Sequence, residues 1–329
     1  MERSLNADII KTLSIFGVVF IHGSTIMTCK SVVTDNFIAL FRFGVPCFIL
    51  LWAFYFEKSM SKKNGREQFQ YIKKRLIHLL IVFVIWTALY FLLSIDWPKI
   101  TLSNITTTKF TDYGWPGRYF LTILFQLLPL YPVIRWLYGK KVLKYIMWLG
   151  LFIIYIAYAY MVYHNNMPGI LQKIGYKLFV FWLPYVFVGI ELARRQTVKL
   201  SVYFWVILLI IPVEYNFIVS SNNSTSYILP GILIASIIFC VSLLQNQIIV
   251  NKTWLYNTIS YIGKNTMTIF VTNPLVIIIL KVLLPKKLLF CETIAGKIIM
   301  PFISSIVIVC ICLLFVELFK KLRINGIVN

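Results

Sequence analysis

The apolar residues of this chain fall into successive blocks of about 20 residues, and this spacing constrains the fold more than any other feature. A helix of that length crosses the roughly 30 Å of hydrocarbon in a bilayer. The chain is 60% hydrophobic and 13% charged, whereas a soluble domain usually carries about a quarter charged residues. The sequence therefore predicts an all-α, polytopic transmembrane helix bundle of about ten helices, forming one integral membrane domain over residues 1–329.

The first apolar block retains polar residues and lacks an obvious signal-peptidase site, so we interpret it as a retained helix. The ten predicted helices lie near 9–28, 37–57, 76–95, 117–138, 145–163, 175–193, 200–219, 228–247, 265–284 and 298–319.

The net charge of +21 is unusual and raises the question of nucleic-acid binding. The basic residues instead lie in short loops between apolar blocks, where they set the orientation of a membrane protein. If the N-terminus is inside, 21 Lys and Arg residues fall in cytoplasmic segments and 10 in outer segments. This bias predicts a multi-pass protein of the cell membrane with both termini in the cytoplasm, solvated outer loops near 96–115 and 220–226, and no nucleic-acid partner.

Ionisable residues within membrane helices are costly and are therefore functional candidates. His22 lies in the outer half of the first predicted helix, and Lys11 precedes it by eleven residues. Eleven residues make three helical turns plus about 20°, so the two side chains share a face and lie roughly 16 Å apart along the axis. Asp8 is about 60° from Lys11 around the helix and can join this stripe near the cytoplasmic mouth. The alternative for His22 is a packing residue that hydrogen-bonds a neighbouring helix.

Three further basic residues are candidates for binding sites. Arg42 lies early in the second predicted helix, where the alternative is an arginine that reaches the outer interface. Arg75 and His78 are three residues apart at the start of the third helix and share a face. Such cations suit a phosphate-bearing ligand, although lipid head groups would attract the same basic cluster in any membrane protein.

The order of these residues resembles the membrane acyltransferase-3 family. The run Asp8-Ile-Ile-Lys11, then ten residues, then His22 is similar to the family's Asp-x-x-Arg, ten residues, His. Segments that also agree in order and spacing are Arg42-Phe-Gly-Val-Pro46-Cys-Phe48, Lys74-Arg75-Leu-Ile-His78, Arg118-Tyr119-Phe120-Leu121, Phe181-Trp-Leu-Pro-Tyr-Val-Phe-Val-Gly189 and Asn265-Thr-Met-Thr-Ile-Phe-Val-Thr-Asn273-Pro274.

Five residues at four places depart from the family pattern. Lys11 replaces the usual Arg, which keeps the charge but loses the planar fork of a guanidinium. Trp52-Ala53 stands in place of the usual Ser-Gly, His78 in place of the second Arg, and Asn273 in place of the late His.

The resemblance implies an enzyme that transfers an acyl group, usually acetyl, from cytoplasmic acyl-CoA to a hydroxyl of a lipid-linked or surface glycan. Acyl-CoA would be the donor substrate, and no bound cofactor or metal is required. His22 would act as the catalytic general base on the acceptor hydroxyl, because imidazole titrates near neutral pH. It could instead carry the acyl group covalently.

The other candidates follow from the same resemblance. Lys11, Arg75 and His78 would bind the CoA phosphates, and Arg42 and Asp8 would contact substrate. Two competing interpretations remain at this point, a glycan or lipid exporter without acyl-transfer chemistry and a structural or sensory membrane subunit. An exporter should tolerate His22→Ala better than an enzyme would.

Overall fold

The structure, a computed structural model, describes residues 4–24, 26, 31–94, 115–164, 166–194, 200–219, 227–246, 252–284 and 293–324. Every regular element in these ranges is helical. The α-helices are α1 (Leu5–Gly23), α2 (Val32–Leu40), α3 (Gly44–Met60), α4 (Gly65–Ser94), α5 (Arg118–Gly139), α6 (Lys141–Tyr163), α7 (Gly169–Ile174), α8 (Leu183–Arg194), α9 (Ile210–Val219), α10 (Pro230–Gln245), α11 (Thr253–Lys264), α12 (Thr266–Leu283) and α13 (Ile294–Lys321). Short 3-10 segments cover Phe41–Phe43, Gly175–Lys177, Phe179–Trp182 and Val202–Leu209.

The predicted all-α membrane bundle is confirmed, and each of the ten predicted segments overlaps helical structure. Among the described residues, seven helices are long and apolar enough to cross a membrane. Two more, Tyr203–Ile218 and Pro230–Gln245, are apolar but shorter. The predicted helix at 175–193 is divided into two 3-10 segments and α8, so counting apolar length alone overestimates the number of full spans. The predicted loops at 96–114 and 220–226 lie outside the described residues.

Helix α11 was not predicted, because its 12 residues do not form an apolar block. It is amphipathic: Leu255, Ile259 and Ile262 recur at helical spacing and are half-buried, while Trp254 is 65% exposed. The helix lies against the first half of α1, where the Thr12 hydroxyl donates to the Ile259 carbonyl at 3.1 Å.

Helix α1 lies inside the bundle, in contact with α3, α10, α11, α12 and α13. Helices α3 and α8 pack closely against each other, and their spacing depends on a glycine. A Cβ atom at Gly189 would lie 2.7 Å from both the Ala53 Cβ and the Leu50 carbonyl oxygen. By contrast, α6 exposes large apolar side chains, including Leu149, Phe152 and Ile153, as expected for a face that contacts lipid.

A tyrosine fixes α4 to α12, two of the helices that line the cavity described below. The buried Tyr90 hydroxyl donates to the Val271 carbonyl at 2.7 Å and accepts from the Leu275 N–H at 2.9 Å. A hydroxyl thus stands within the hydrogen-bond ladder of α12, one residue after Pro274. Such insertions accompany proline bends in helices, and here the insertion also sets the position of α4.

Candidate functional site

A cavity of about 440 Å³ lies between α1, α3, α4, α5 and α12. Its walls are mostly aromatic, it contains two cations, and none of its lining side chains is acidic. The lining residues are Lys11, Phe48, Leu51, Trp52, Tyr55, Phe56, Ser59, Tyr71, Arg75, Phe120, Thr266, Met267 and Phe270. Apolar walls with a few polar groups are typical of small-molecule sites.

The two cations of the cavity each lie over a tyrosine. Lys11 Nζ is 5.4 Å from the ring centroid of Tyr55, and Arg75 Cζ is 5.3 Å from that of Tyr71. Cation–π contacts at these distances help to hold both side chains beside the cavity. The cavity lining thus contains one ammonium and one guanidinium group, and phosphate groups are one class of anion that such groups bind.

The structure brings Lys11 and Arg75 together but does not place Asp8 or His78 at the same surface. His78 is half-buried one turn further along α4 and is not among the lining residues. Asp8 is 2% exposed and lies against α11, since a Cβ at Gly263 would be 3.0 Å from Asp8 Oδ1. The unpredicted helix α11 therefore covers the part of α1 on which Asp8 lies.

His22 lies half-buried in the last turn of α1. Because α1 runs unbroken from Leu5 to Gly23, Lys11 and His22 share one helical face. Ile15 and Val18 lie between them on that face and are 0% and 3% exposed. The histidine is thus separated from the level of Lys11 by a buried apolar stretch of the same helix.

Arg42 is buried within the bundle. It is 8% exposed and belongs to the 3-10 segment that joins α2 to α3. Its guanidinium carbon is 4.9 Å from the ring centroid of Tyr227. The Tyr119 ring lies 5.6 Å from Tyr227 and 5.1 Å from Tyr176, so three half-buried tyrosines cluster beside Arg42.

We call these three tyrosines, Tyr119, Tyr176 and Tyr227, the tyrosine cluster. Its members come from the start of α5, a 3-10 segment and the residues before α10. Their separation along the chain explains why sequence reasoning missed them, since no local spacing connects them. The cluster and His22 both lie toward the end of the bundle at which α1 finishes and α5 and α10 begin.

Asn273 stands where the resemblance expects a histidine, and the structure gives it a backbone role. Pro274 has no N–H, so the carbonyl of Phe270, four residues earlier, lacks its helical donor. The Asn273 side chain supplies that donor, with Nδ2 at 2.6 Å from the Phe270 oxygen. Asn273 is 1% exposed, so an unsatisfied carbonyl here would be costly.

A second polar cluster, also missed from the sequence, joins α3, α5 and α8. Glu57 is 1% exposed and accepts a hydrogen bond from the Tyr131 hydroxyl at 2.9 Å. Arg135 Nε lies 2.9 Å from Glu57 Oε2, and Arg194 Nε lies 2.8 Å from Oε1. In the sequence, Arg135 and Arg194 are two of the 21 basic residues assigned to cytoplasmic segments. Only the fold shows that they share a buried carboxylate.

Residues 5–317 match the sequence profile of a family described as an acyltransferase domain, the acyltransferase-3 family. The chain belongs to this family. The match covers nearly the whole chain and confirms the resemblance seen in the motifs. No curated protein and no solved structure matches the chain.

Family membership and the apolar helices together make this protein a membrane acyltransferase. In the part of the chain that the structure describes, no three His, Cys, Asp or Glu side chains are grouped closely enough to hold a metal ion. The groups gathered at the cavity are cationic and aromatic, which suits binding of an anionic acyl donor as a substrate.

Proposed function

We propose that this enzyme transfers an acyl group, in the simplest case acetyl, from acyl-CoA to a hydroxyl of a cell-surface or lipid-linked glycan. Residues 1–329 would act as one catalytic membrane domain with both termini in the cytoplasm. The main support is that Lys11, on the same helical face as His22, lines an aromatic cavity together with Arg75. One helix thus carries both a donor-binding cation and a titratable group in the opposite half.

The donor would bind from the cytoplasmic side, with its phosphates near Lys11 and Arg75. His78, one turn further along α4 and outside the cavity lining, remains a proposed donor contact deeper in the bundle. The aromatic side chains of the cavity, including Trp52 and Tyr55, would surround the arm of the donor that carries the thioester. The arm of such a donor is long and flexible, so it can extend along the face of α1 toward His22. This path requires the buried side chains of Ile15 and Val18 to move aside.

The acceptor would bind from the outer side, near Arg42 and the tyrosine cluster. Tyrosine rings present flat apolar faces and hydroxyl groups, both of which suit the faces and hydroxyls of a sugar. Arg42 would donate hydrogen bonds to acceptor oxygens. Asp8 remains a proposed contact on the cytoplasmic half of α1, although it lies outside the cavity lining.

The chemistry requires one proton acceptor. The acceptor hydroxyl oxygen attacks the thioester carbonyl carbon while His22 takes the hydroxyl proton. The carbon–sulfur bond then breaks, the ester forms, and the CoA thiolate leaves and recovers the proton from His22. In the covalent alternative the acyl group resides on the His22 imidazole before it reaches the hydroxyl.

Two variants of His22 test the proposal. General-base catalysis typically contributes about 10²- to 10⁴-fold in rate, so His22→Ala should reduce the rate of acylation by about 10²-fold or more. His22→Gln keeps hydrogen bonding but cannot accept the proton, so it should be nearly as inactive. Mass spectrometry of surface glycans would measure the added acyl mass in cells with each variant.

A matched control is His164→Gln, since His164 lies at the end of α6 away from the cavity and should leave acylation unchanged. Wild-type acylation by His22→Gln would make His22 a packing residue. Failure of His22→Ala to accumulate in the membrane would likewise favour a structural role, and catalysis would then lie elsewhere.

A further inference from the structure

A second cavity, of about 430 Å³, lies where α4 begins and α5 and α8 end, outside the proposed catalytic site. We call it the basic cleft. Three of its lining residues are cations and none is acidic. Its lining residues are Gln68, Pro132, Arg135, Trp136, Gly139, Lys140 and Arg194.

The basic cleft has more positive charge than its structural role requires. Glu57, beneath it, binds Arg135 and Arg194 together, so one carboxylate faces two guanidinium groups. Lys140 adds a third cation, which leaves an excess of two positive charges around the cleft. If these arginines served only to balance Glu57, one of them would suffice.

The two arginines also keep donors available. Among the described residues, each bonds Glu57 through Nε, so the terminal nitrogens of both are left for another acceptor. Their side chains are 26% and 31% exposed, so a ligand in the cleft can reach them. Paired guanidinium donors match the oxygens of a phosphate group, and a nearby ammonium adds charge.

The surroundings of the basic cleft indicate where the phosphate comes from. Trp136 lines the cleft and is 61% exposed, and Val133, on the same helix, is 53% exposed. Exposed tryptophan beside exposed aliphatic residues is typical of the boundary between lipid chains and head groups. The cleft therefore opens at the depth of lipid head groups, and acyl chains can lie along α5 below it.

We propose that the basic cleft binds the phosphate of an anionic phospholipid head group through Arg135, Arg194 and Lys140. Such binding would tie the ends of α5 and α8 to the membrane surface on the side where the Lys11–Arg75 cavity opens. Basic pockets between transmembrane helices are known to hold anionic head groups in this way. The inference does not depend on which acyl donor or acceptor the enzyme uses.

Neighbouring lysines provide a matched pair of variants. Lys140 lines the cleft, whereas Lys141, the first residue of α6, does not, and both are exposed. Lys140→Gln and Lys141→Gln therefore remove the same charge from adjacent positions. Arg135 and Arg194 are avoided because changing them would also disrupt the contact with Glu57.

The experiment titrates detergent-purified full-length protein with phosphatidylglycerol or phosphatidylcholine and measures bound lipid by native mass spectrometry. Wild type should retain phosphatidylglycerol preferentially. Lys140→Gln should weaken that binding about fivefold, while Lys141→Gln leaves it unchanged and phosphatidylcholine binding is the same in all three proteins.

Equal effects of the two lysine variants would mean diffuse surface attraction and would overturn the proposal. So would an absence of preference for phosphatidylglycerol in wild type. Inorganic pyrophosphate serves as a soluble probe in a third titration. If pyrophosphate binds in a Lys140-dependent manner and phosphatidylglycerol does not, the cleft is a site for a soluble phosphate compound and the lipid assignment fails.

Discussion

Replacement of Glu57 by glutamine should be among the most destabilising conservative changes in this protein. Glutamine keeps the shape of the side chain but removes the only negative charge among Glu57, Arg135 and Arg194, whose net charge rises from +1 to +2. Glu57 is 1% exposed and accepts hydrogen bonds from three side chains, including Tyr131.

The magnitude follows from burial. Removing one partner from a buried ion pair costs about 3 to 5 kcal/mol, because the other charge is left uncompensated. Here the two arginines are 26% and 31% exposed, so water can partly solvate them after the change. We therefore expect a loss near the lower limit, about 3 kcal/mol, or roughly 150-fold in the unfolding equilibrium.

Unfolding of the protein by SDS in mixed detergent micelles would measure this loss as a shift of the transition. Glu191→Gln is the matched control, since Glu191 also accepts hydrogen bonds from a cation and a tyrosine, Lys144 at 2.8 Å and Tyr138 at 3.1 Å, but is about a quarter exposed. Ion pairs that water can reach are worth less than buried ones, so the loss at Glu191 should be clearly smaller than at Glu57. A Glu57→Gln transition that coincides with that of Glu191→Gln would refute the reasoning, because burial would then not distinguish the two carboxylates.

Three other outcomes are expected. Reporter fusions at Asn329 and within 220–226 should give opposite signals, because the 21-to-10 bias of basic residues places them on opposite sides; identical signals would disprove the topology. Arg75→Ala should weaken acyl-CoA binding, more at low salt than at high salt, because part of the attraction is Coulombic. Lys74 is exposed and outside the cavity lining, so Lys74→Ala should not weaken binding; unchanged donor affinity in Arg75→Ala would remove Arg75 from the site. Asn273→Leu should lower the free energy of unfolding in SDS by about 1 to 3 kcal/mol, since it leaves a buried carbonyl without a donor. Asn273→His keeps an N–H and should lower it less; equal losses in the two variants would rule out the backbone role.

Helical spacing in the sequence identifies some residues of the proposed site but cannot identify others. Lys11 and His22 were connected from the sequence because a single continuous helix carries both, and helical periodicity fixes their relative direction. Arg75 was expected near Lys11, and the structure places both at one cavity. The tyrosine cluster beside Arg42 had no such signal, because its members come from three separate elements.

The sequence alone is enough to predict an all-α membrane bundle. Blocks of about 20 apolar residues are stable in a bilayer as helices, because a helix satisfies its backbone hydrogen bonds within the segment. It also determined the family through the order of short motifs within those helices. Only the tertiary structure decided which charges meet. Glu57, Arg135 and Arg194 are separated by up to 137 residues, and helix packing, which depends on close approaches such as Gly189 against Ala53, brings them together. Local periodicity describes the faces of one helix, whereas a buried ion cluster depends on how several helices are arranged around one another.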